Sequence, residues 1–210
     1  MTEPQPDPRQ QWDDRYADDD YRFGTEPNDF LRDELPRVAP PGSSLDVLCL
    51  ADGEGRNGVF LAEAGHRVTS VDLSANGMAK ARRLAEARGV AIETVVADLG
   101  SWDLGADRWD LAVSIFFHSP PPVRARVMGA LATALRPGGH LLLESYTPDQ
   151  VGRGTGGPPV PELAMTLDIL RRELAGLEIL YGQELERPVI EGPGHTGVGA
   201  VVQVIARRPG

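Results

Sequence analysis

Cysteine, histidine, long apolar runs and positive charge are all scarce in this chain, and each scarcity excludes something. One cysteine in 210 residues, Cys49, leaves no internal disulfide and no cysteine-rich metal site. The four histidines (His66, His118, His140 and His195) form no HxH or HxxxH pair, so no metal site is expected. No run approaches the roughly 18 apolar residues that a membrane-spanning helix needs. The opening MTEPQPDPRQQWDDRY lacks the basic start and apolar stretch of a secretory signal. Lys and Arg together number 21 against 31 Asp and Glu, a net charge of −10. A negative chain repels phosphate backbones and anionic lipid, so the expectation is a cytoplasmic protein with no nucleic-acid and no membrane partner.

The acid is unevenly spread. Residues 1–34 hold 11 acids and 4 bases, which is most of the net charge. This is either a solvated segment or an acidic lip that draws in a cationic ligand. Residues 1–10, with three prolines and no periodicity, read as a disordered lead-in. Residues 11–38 read as short helices broken by Gly24 and Pro27, with Trp12, Tyr16 and Tyr21 supplying packing surface.

Beyond them the pattern is regular. LDVLCL (45–50) is a short apolar run of the kind found in buried parallel strands. Residues 56–64 read as a helix stopped by Gly65, and HRVTSVD (66–72) as a second strand. Ser74 can cap a helix that Gly89 closes. AIETVVAD (91–98) and WDLAVSIFF (109–117) are further strands, and Pro122 can start a helix running through Leu135. A Pro-Gly-Gly turn (137–139) leads into HLLLESY (140–146). A Gly/Pro loop (149–161), a helix over about 162–174 and two long terminal strands complete the chain. Strand–helix alternation at this spacing predicts a single doubly wound α/β domain over residues 1–210, with a mostly parallel sheet.

In such sheets ligands bind beyond the carboxyl ends of the strands, where strand order reverses. The loop there is ADGEGRNG (51–58), with the spacing Gly53-x-Gly55-x-x-Gly58, and Asp72 ends the next strand. Glycines allow close backbone approach, and a strand-end acid can accept hydrogen bonds from two ribose hydroxyls. The pattern fits an adenosine ligand, and by itself leaves a nicotinamide cofactor and S-adenosyl-L-methionine (SAM) equally open. Asp98, ending the third strand, can accept from an adenine amino group.

Taken together, VLCLADGEGRN, VTSVDLS, ADL and LRPGG at these separations resemble the class I SAM-dependent methyltransferases. WDDRYADDDYRFGTEPNDFL, GTGGPP and the tail LERPVIEGPGHTGVGAVVQ are similar to a small bacterial, tellurite-resistance-like subgroup. The resemblance implies a Rossmann-like, seven-stranded sheet with an antiparallel last strand, and residues 11–38 as a cap over the cofactor. It implies that Gly53 and Gly55 bring backbone to the methionine part of SAM and that Asp72 and Leu73 hold ribose and adenine. Asp98 and Leu99 would take the adenine edge, Ser114 and Phe116 the floor, Arg15 the carboxylate, and Tyr21 or Gly24 the sulfonium side. The family's usual first-strand acid is Cys49 here and its first loop glycine is Ala51, with Asp52 a substitute partner for the ammonium group.

The implied function is methyl transfer from SAM to a small-molecule acceptor by in-line displacement. His118 and His195 are the candidate bases, and His118, Glu144 and His195 the candidate substrate contacts. The chain outside the core offers too little for a macromolecular recognition domain. Two rival readings are an NAD(P)-dependent oxidoreductase and a non-catalytic module binding SAM or S-adenosylhomocysteine (SAH). A monomer and a homodimer are both compatible with the sequence.

Overall fold

The structure, a computed structural model, describes residues 7–210. The expected lead-in over 1–10 lies mostly outside the described residues, and its last part is not disordered. Asp7 caps helix α1 (Pro8–Arg15) by accepting from the Arg9 N–H at 3.0 Å. Pro8 sits in the first turn, where a missing N–H costs nothing and the fixed φ suits a helix. Helix α2 (Asp29–Val38) starts at Asn28, whose side chain accepts from the Leu31 N–H, and the chain between the two helices turns at Gly24.

Seven strands form one sheet: β1 (Asp46–Leu50), β2 (Arg67–Asp72), β3 (Glu93–Val96), β4 (Trp109–Ile115), β5 (Leu135–Tyr146), β6 (Glu178–Ile190) and β7 (Thr196–Arg207). Their order is β3-β2-β1-β4-β5-β7-β6, with β7 antiparallel to both neighbours and β1 to β5 parallel. The crossovers carry α3 (Arg56–Glu63), α4 (Ala75–Ala87) and α5 (Pro121–Ala134), and α6 (Leu167–Glu173) precedes the terminal pair. This is the doubly wound fold the alternation predicts.

Alternate residues of β1 serve opposite cores, as the period of two along a strand requires. Leu48 and Leu50 pack with Met128, Leu131 and Leu170 from α5 and α6, while Val47 and Cys49 pack with Leu31, Leu35 and Leu61 from α2 and α3. Each such buried side chain contributes about 1.5–3 kcal/mol. Cys49 is 1% exposed, and burial lifts its thiol well above the usual range, so it is an inert core residue.

Two expectations are corrected. The Pro-Gly-Gly segment is not a turn ahead of the strand but an irregularity inside β5, whose pairing with β4 shifts between Trp109 and Leu111. Gly138 donates to the Arg208 carbonyl and Arg208 donates to that of Gly139, at 3.0 and 2.8 Å. A side chain at Gly139 would strike the carbonyls of Arg136 and Trp109 at 2.9 and 3.0 Å. The helix expected over 162–174 begins late, at Leu167, because Thr166 caps it by accepting from the Ile169 N–H. Ahead of that cap Pro161–Leu163 is a single 3₁₀ turn.

Candidate active site

Strand order reverses at β1, which has β2 on one side and β4 on the other. A cavity of about 380 Å³ opens there, beyond the carboxyl ends of β1 to β4. Its floor is the loop from Ala51 to Glu54, then Asp72 and Leu73, then Ala97 to Leu99, then Ile115 to Ser119. Its roof comes from Trp12, Arg15, Tyr16, Arg22 and Phe23, joined by Gly156, Gly157, Gly194 and His195.

Asp72 is buried and held at both oxygens. Oδ2 accepts from the Gly53 N–H at 2.9 Å and Oδ1 from the Ser74 N–H at 2.8 Å. Each oxygen keeps a further acceptor site, so a pair of hydroxyl donors can still be received. Burial raises its pKa to about 6, against the lowering effect of those backbone donors. Asp98 is exposed at the cavity edge, with Oδ1 fixed by the Gly100 N–H at 2.7 Å.

The three loop glycines serve different ends. A Cβ on Gly53 would meet the Tyr16 hydroxyl at 2.7 Å, so the turn is roofed by that ring. Gly55 does not line the cavity. Its Cβ would strike Cβ and Cα of Ala81 at 2.5 and 2.7 Å, so the glycine lets α3 and α4 touch. A Cβ on Gly58 would collide with Asp52 and Ser70. Asp52 points at that glycine, accepting from its N–H at 3.2 Å and from the Ser70 hydroxyl at 2.6 Å. Burial raises Asp52 to about 7. It therefore anchors the loop, and the task of holding an ammonium group does not fit its orientation.

Ala51 and Phe116 end β1 and β4 with φ of +52° and +55°, a left-handed backbone that costs side-chain-bearing residues about 1–2 kcal/mol. Both line the cavity. Such strain held at a ligand crevice is a common mark of a functional site.

Several predicted positions are placed elsewhere. Tyr21 lies away from the cavity, donating to the Lys80 carbonyl at 3.1 Å with the Lys80 ammonium over its ring. Gly24 lies in contact with Gly192. Ser114 is buried within β4 and does not line the cavity. Glu144 is fully buried in a polar network outside it, because Arg187, Asn28 and Gln203 all donate to its carboxylate. Asn28 and Arg187 also reach Glu191, which pairs with Arg56 of the cavity wall at 2.5 Å. Arg15, Ala51, Asp52, Gly53, Asp72, Leu73, Asp98, Leu99, Phe116, His118 and His195 are brought together.

The acidic-lip reading fails on placement. No acid of the described part of 1–34 lines the cavity, whereas Arg15 and Arg22 do. Asp13 is turned to α4, accepting from the Ser74 hydroxyl and the Asn76 N–H.

His118 and His195 meet around Phe116 and Tyr146. His195 packs on Phe23, Phe116 and Tyr146 with ring centroids 4.5, 4.8 and 5.3 Å away, and His118 stacks on Tyr146 at 5.8 Å. Burial lowers their pKa values to about 3 for His195 and about 4 for His118, so both are neutral at pH 7. Arg22, Phe23, Arg56, Asn57 and Gly156 are cavity residues that sequence reasoning missed. All five lie inside the motifs quoted for the resemblance, but none carried a role there.

Residues 47–139 match a family described as a methyltransferase domain. Over 105 residues the chain is 34% identical to a tRNA 5-carboxymethoxyuridine methyltransferase of Escherichia coli K12, a stretch covering 49% of this chain and 40% of that protein. The chain thus spans less than half the length of that curated relative. Among solved structures it is similar to a protein described under the conversion of a disulfide bond into a thioacetal group during echinomycin biosynthesis. The TM-score is 0.77 at 22% identity, over 96% of this chain and 91% of that one. The N-methyltransferase NodS of Bradyrhizobium japonicum WM9, solved with SAH, gives a TM-score of 0.68 at 18% identity over 96% and 98%. At these identities the shared property is the fold.

Among the described residues no group of three or more His, Cys, Asp or Glu side chains could hold a metal ion. No described helix is long and apolar enough to cross a membrane.

Proposed function

We propose that this domain binds SAM in the cavity above β1 to β4 and transfers its methyl group to a small-molecule acceptor. The observation that carries the reading is the clasp of Asp72 to Gly53. A buried carboxylate is locked to the glycine turn, with acceptor capacity to spare beside the cavity. That donor set fits a ribose diol. Leu73, Ala97 and Leu99 give an apolar slot next to Asp98 that suits an adenine ring, and Arg15 can meet a carboxylate at the entrance.

Bound SAM supplies a methyl group activated by sulfonium charge, and the protein's part is position. Asp72 and the glycine turn fix the adenosyl end, Trp12, Tyr16 and Phe23 exclude water from above, and Phe116 limits the floor. The roofed cavity favours a small acceptor over a polynucleotide. The tRNA-modifying relative argues the other way, and the net charge of −10 argues against phosphate binding across the surface.

Calorimetry with SAM, SAH, NAD and NADP tests the proposal. Binding of SAM and SAH, abolished or weakened roughly 10- to 100-fold in Asp72→Ala, is the expected result. Binding of NAD or NADP with no response to SAH would transfer the glycine loop to the oxidoreductase reading. Methyl transfer to an unmodified tRNA preparation, with none to any small acceptor, would replace the small-molecule clause.

A further inference from the structure

The wall of the cavity away from Asp72 has a character of its own. Phe116 is its centre, with Tyr146 stacked 4.4 Å behind it, His195 edge-on at 4.8 Å and Phe23 covering His195 at 4.5 Å. His195 is only 6% exposed, and its Nδ1 has neither a hydrogen-bond partner nor solvent. The Tyr146 hydroxyl is orphaned in the same way. Both ring nitrogens of His118 also lack a partner. An unpaired buried polar atom costs about 1–3 kcal/mol, and His118 and His195 line the cavity, so a partner can be supplied there from outside the chain.

The imidazole cannot relieve this by turning away. A Cβ on Gly156 would strike the His195 ring at 2.7 Å, and one on Gly194 would strike Phe23 at 2.5 Å, so backbone closes on both rings. The charge a ligand meets here is positive, since Arg15 and Arg22 line the cavity and both bear on His195. Arg56 is satisfied by Glu191, Glu54 by Lys80, and Asp52 by Gly58 and Ser70. A cationic acceptor pressed on this wall would lose hydration without compensation.

We infer that the methyl acceptor is a small, planar molecule without positive charge that lies against Phe116 and Phe23 and gives an O–H, S–H or N–H hydrogen bond to His195. The inference rests on the SAM reading. On transfer the acceptor's O, S or N atom bonds to the methyl carbon, and the electron pair of the breaking carbon–sulfur bond stays on sulfur. The acceptor's proton passes to the neutral imidazole of His195 and then to water. That proton becomes strongly acidic as the new bond forms, so a weakly basic imidazole is enough to take it.

The test uses 2-naphthol and 2-naphthalenethiol as probes, ethanolamine as a charged aliphatic control, and His195→Phe and His195→Gln as variants. SAH binding is read by calorimetry, 2-naphthol binding to the SAH-loaded protein by its fluorescence, and transfer by SAH release from SAM. His195→Phe keeps the ring and is expected to bind SAH as wild type does. Its 2-naphthol affinity should fall roughly 5-fold and its transfer to 2-naphthol roughly 100-fold, with part of the affinity restored in His195→Gln. The inference is overturned if SAH binds while neither planar probe binds or is methylated. It is equally overturned if ethanolamine is the better acceptor, or if His195→Phe matches wild type in both readouts. Absence of SAH binding in wild type would strike the SAM reading instead, and 2-naphthol binding lost in His195→Phe would still report on the wall.

Discussion

Gly53 and Asp72 lie 19 residues apart in sequence and are joined by a 2.9 Å hydrogen bond from the glycine N–H to Asp72 Oδ2. One carboxylate thereby shapes the turn and presents acceptors to the cavity. Asp72→Asn should keep much of the turn, since an amide oxygen can still accept from Gly53, yet lose acceptor capacity. Its SAH affinity should fall less than that of Asp72→Ala, with the alanine variant also lower in denaturation midpoint. Equal losses of affinity in both would show that the charge, and not the hydrogen-bond pattern, binds the ligand.

Gly55 separates packing from ligand binding. Its Cβ would overlap Ala81, and its φ of +88° is strained for any other residue. Gly55→Ala is expected to cost on the order of 2–4 kcal/mol of stability in urea titrations. Adding Ala81→Gly should recover part of that loss by removing the clash. If Gly55→Ala instead left stability intact and weakened only SAH binding, the glycine would face the ligand after all.

Much of this was legible in the sequence, and the exceptions have physical causes. The strand–helix rhythm and the strand-end acids are local signals, so the sheet, Asp72 and Asp98 follow from spacing. Glu144 misleads because a strand's alternation gives the face but not what covers it. The cover comes from Arg187 and Asn28, 43 and 116 residues away. Tyr21 misleads for the same reason, since its partner is the Lys80 carbonyl on α4. The Pro8 turn was hidden because proline starts helices as readily as it breaks them.

Asp52 gives a pH signature. Its folded pKa of about 7 lies above the ordinary 3.8, so the folded state holds the proton more tightly than the unfolded chain does. Stability is then lost as pH rises from about 4 to 7, on the order of 4 kcal/mol for this group alone. His195 works in the opposite direction. Its pKa of about 3 means the unfolded chain binds the proton first, so its share of stability grows as pH rises toward 6.5. The two effects oppose each other in wild type. Asp52→Asn should therefore gain on wild type steadily between pH 4 and 7, as measured by urea midpoints. A gap that stays constant with pH would show that Asp52 titrates normally.

The Glu144 network is expected to hold the fold together without touching ligand. Glu144→Ala leaves Arg187 only its pairing with Glu191 and Asp29 and takes the acceptor from Asn28 and Gln203, and losing such charged hydrogen bonds costs about 1.5–3 kcal/mol. The folded fraction should still bind SAH within about threefold of wild type. A larger affinity loss, with the melting transition unchanged, would put Glu144 back at the ligand.

The roof of the cavity joins distant parts of the chain. The Gly194 N–H donates to the Arg22 carbonyl at 2.9 Å, and Gly24 lies against Gly192, so the loop between β6 and β7 closes onto the segment after α1. A nascent chain that has released β1 to β5 from the ribosome already owns the glycine turn and both strand-end acids, yet its pocket stands open to water. Enclosure of the ligand therefore waits until residue 195 has emerged, and a chain stalled short of that point lacks this part of the roof.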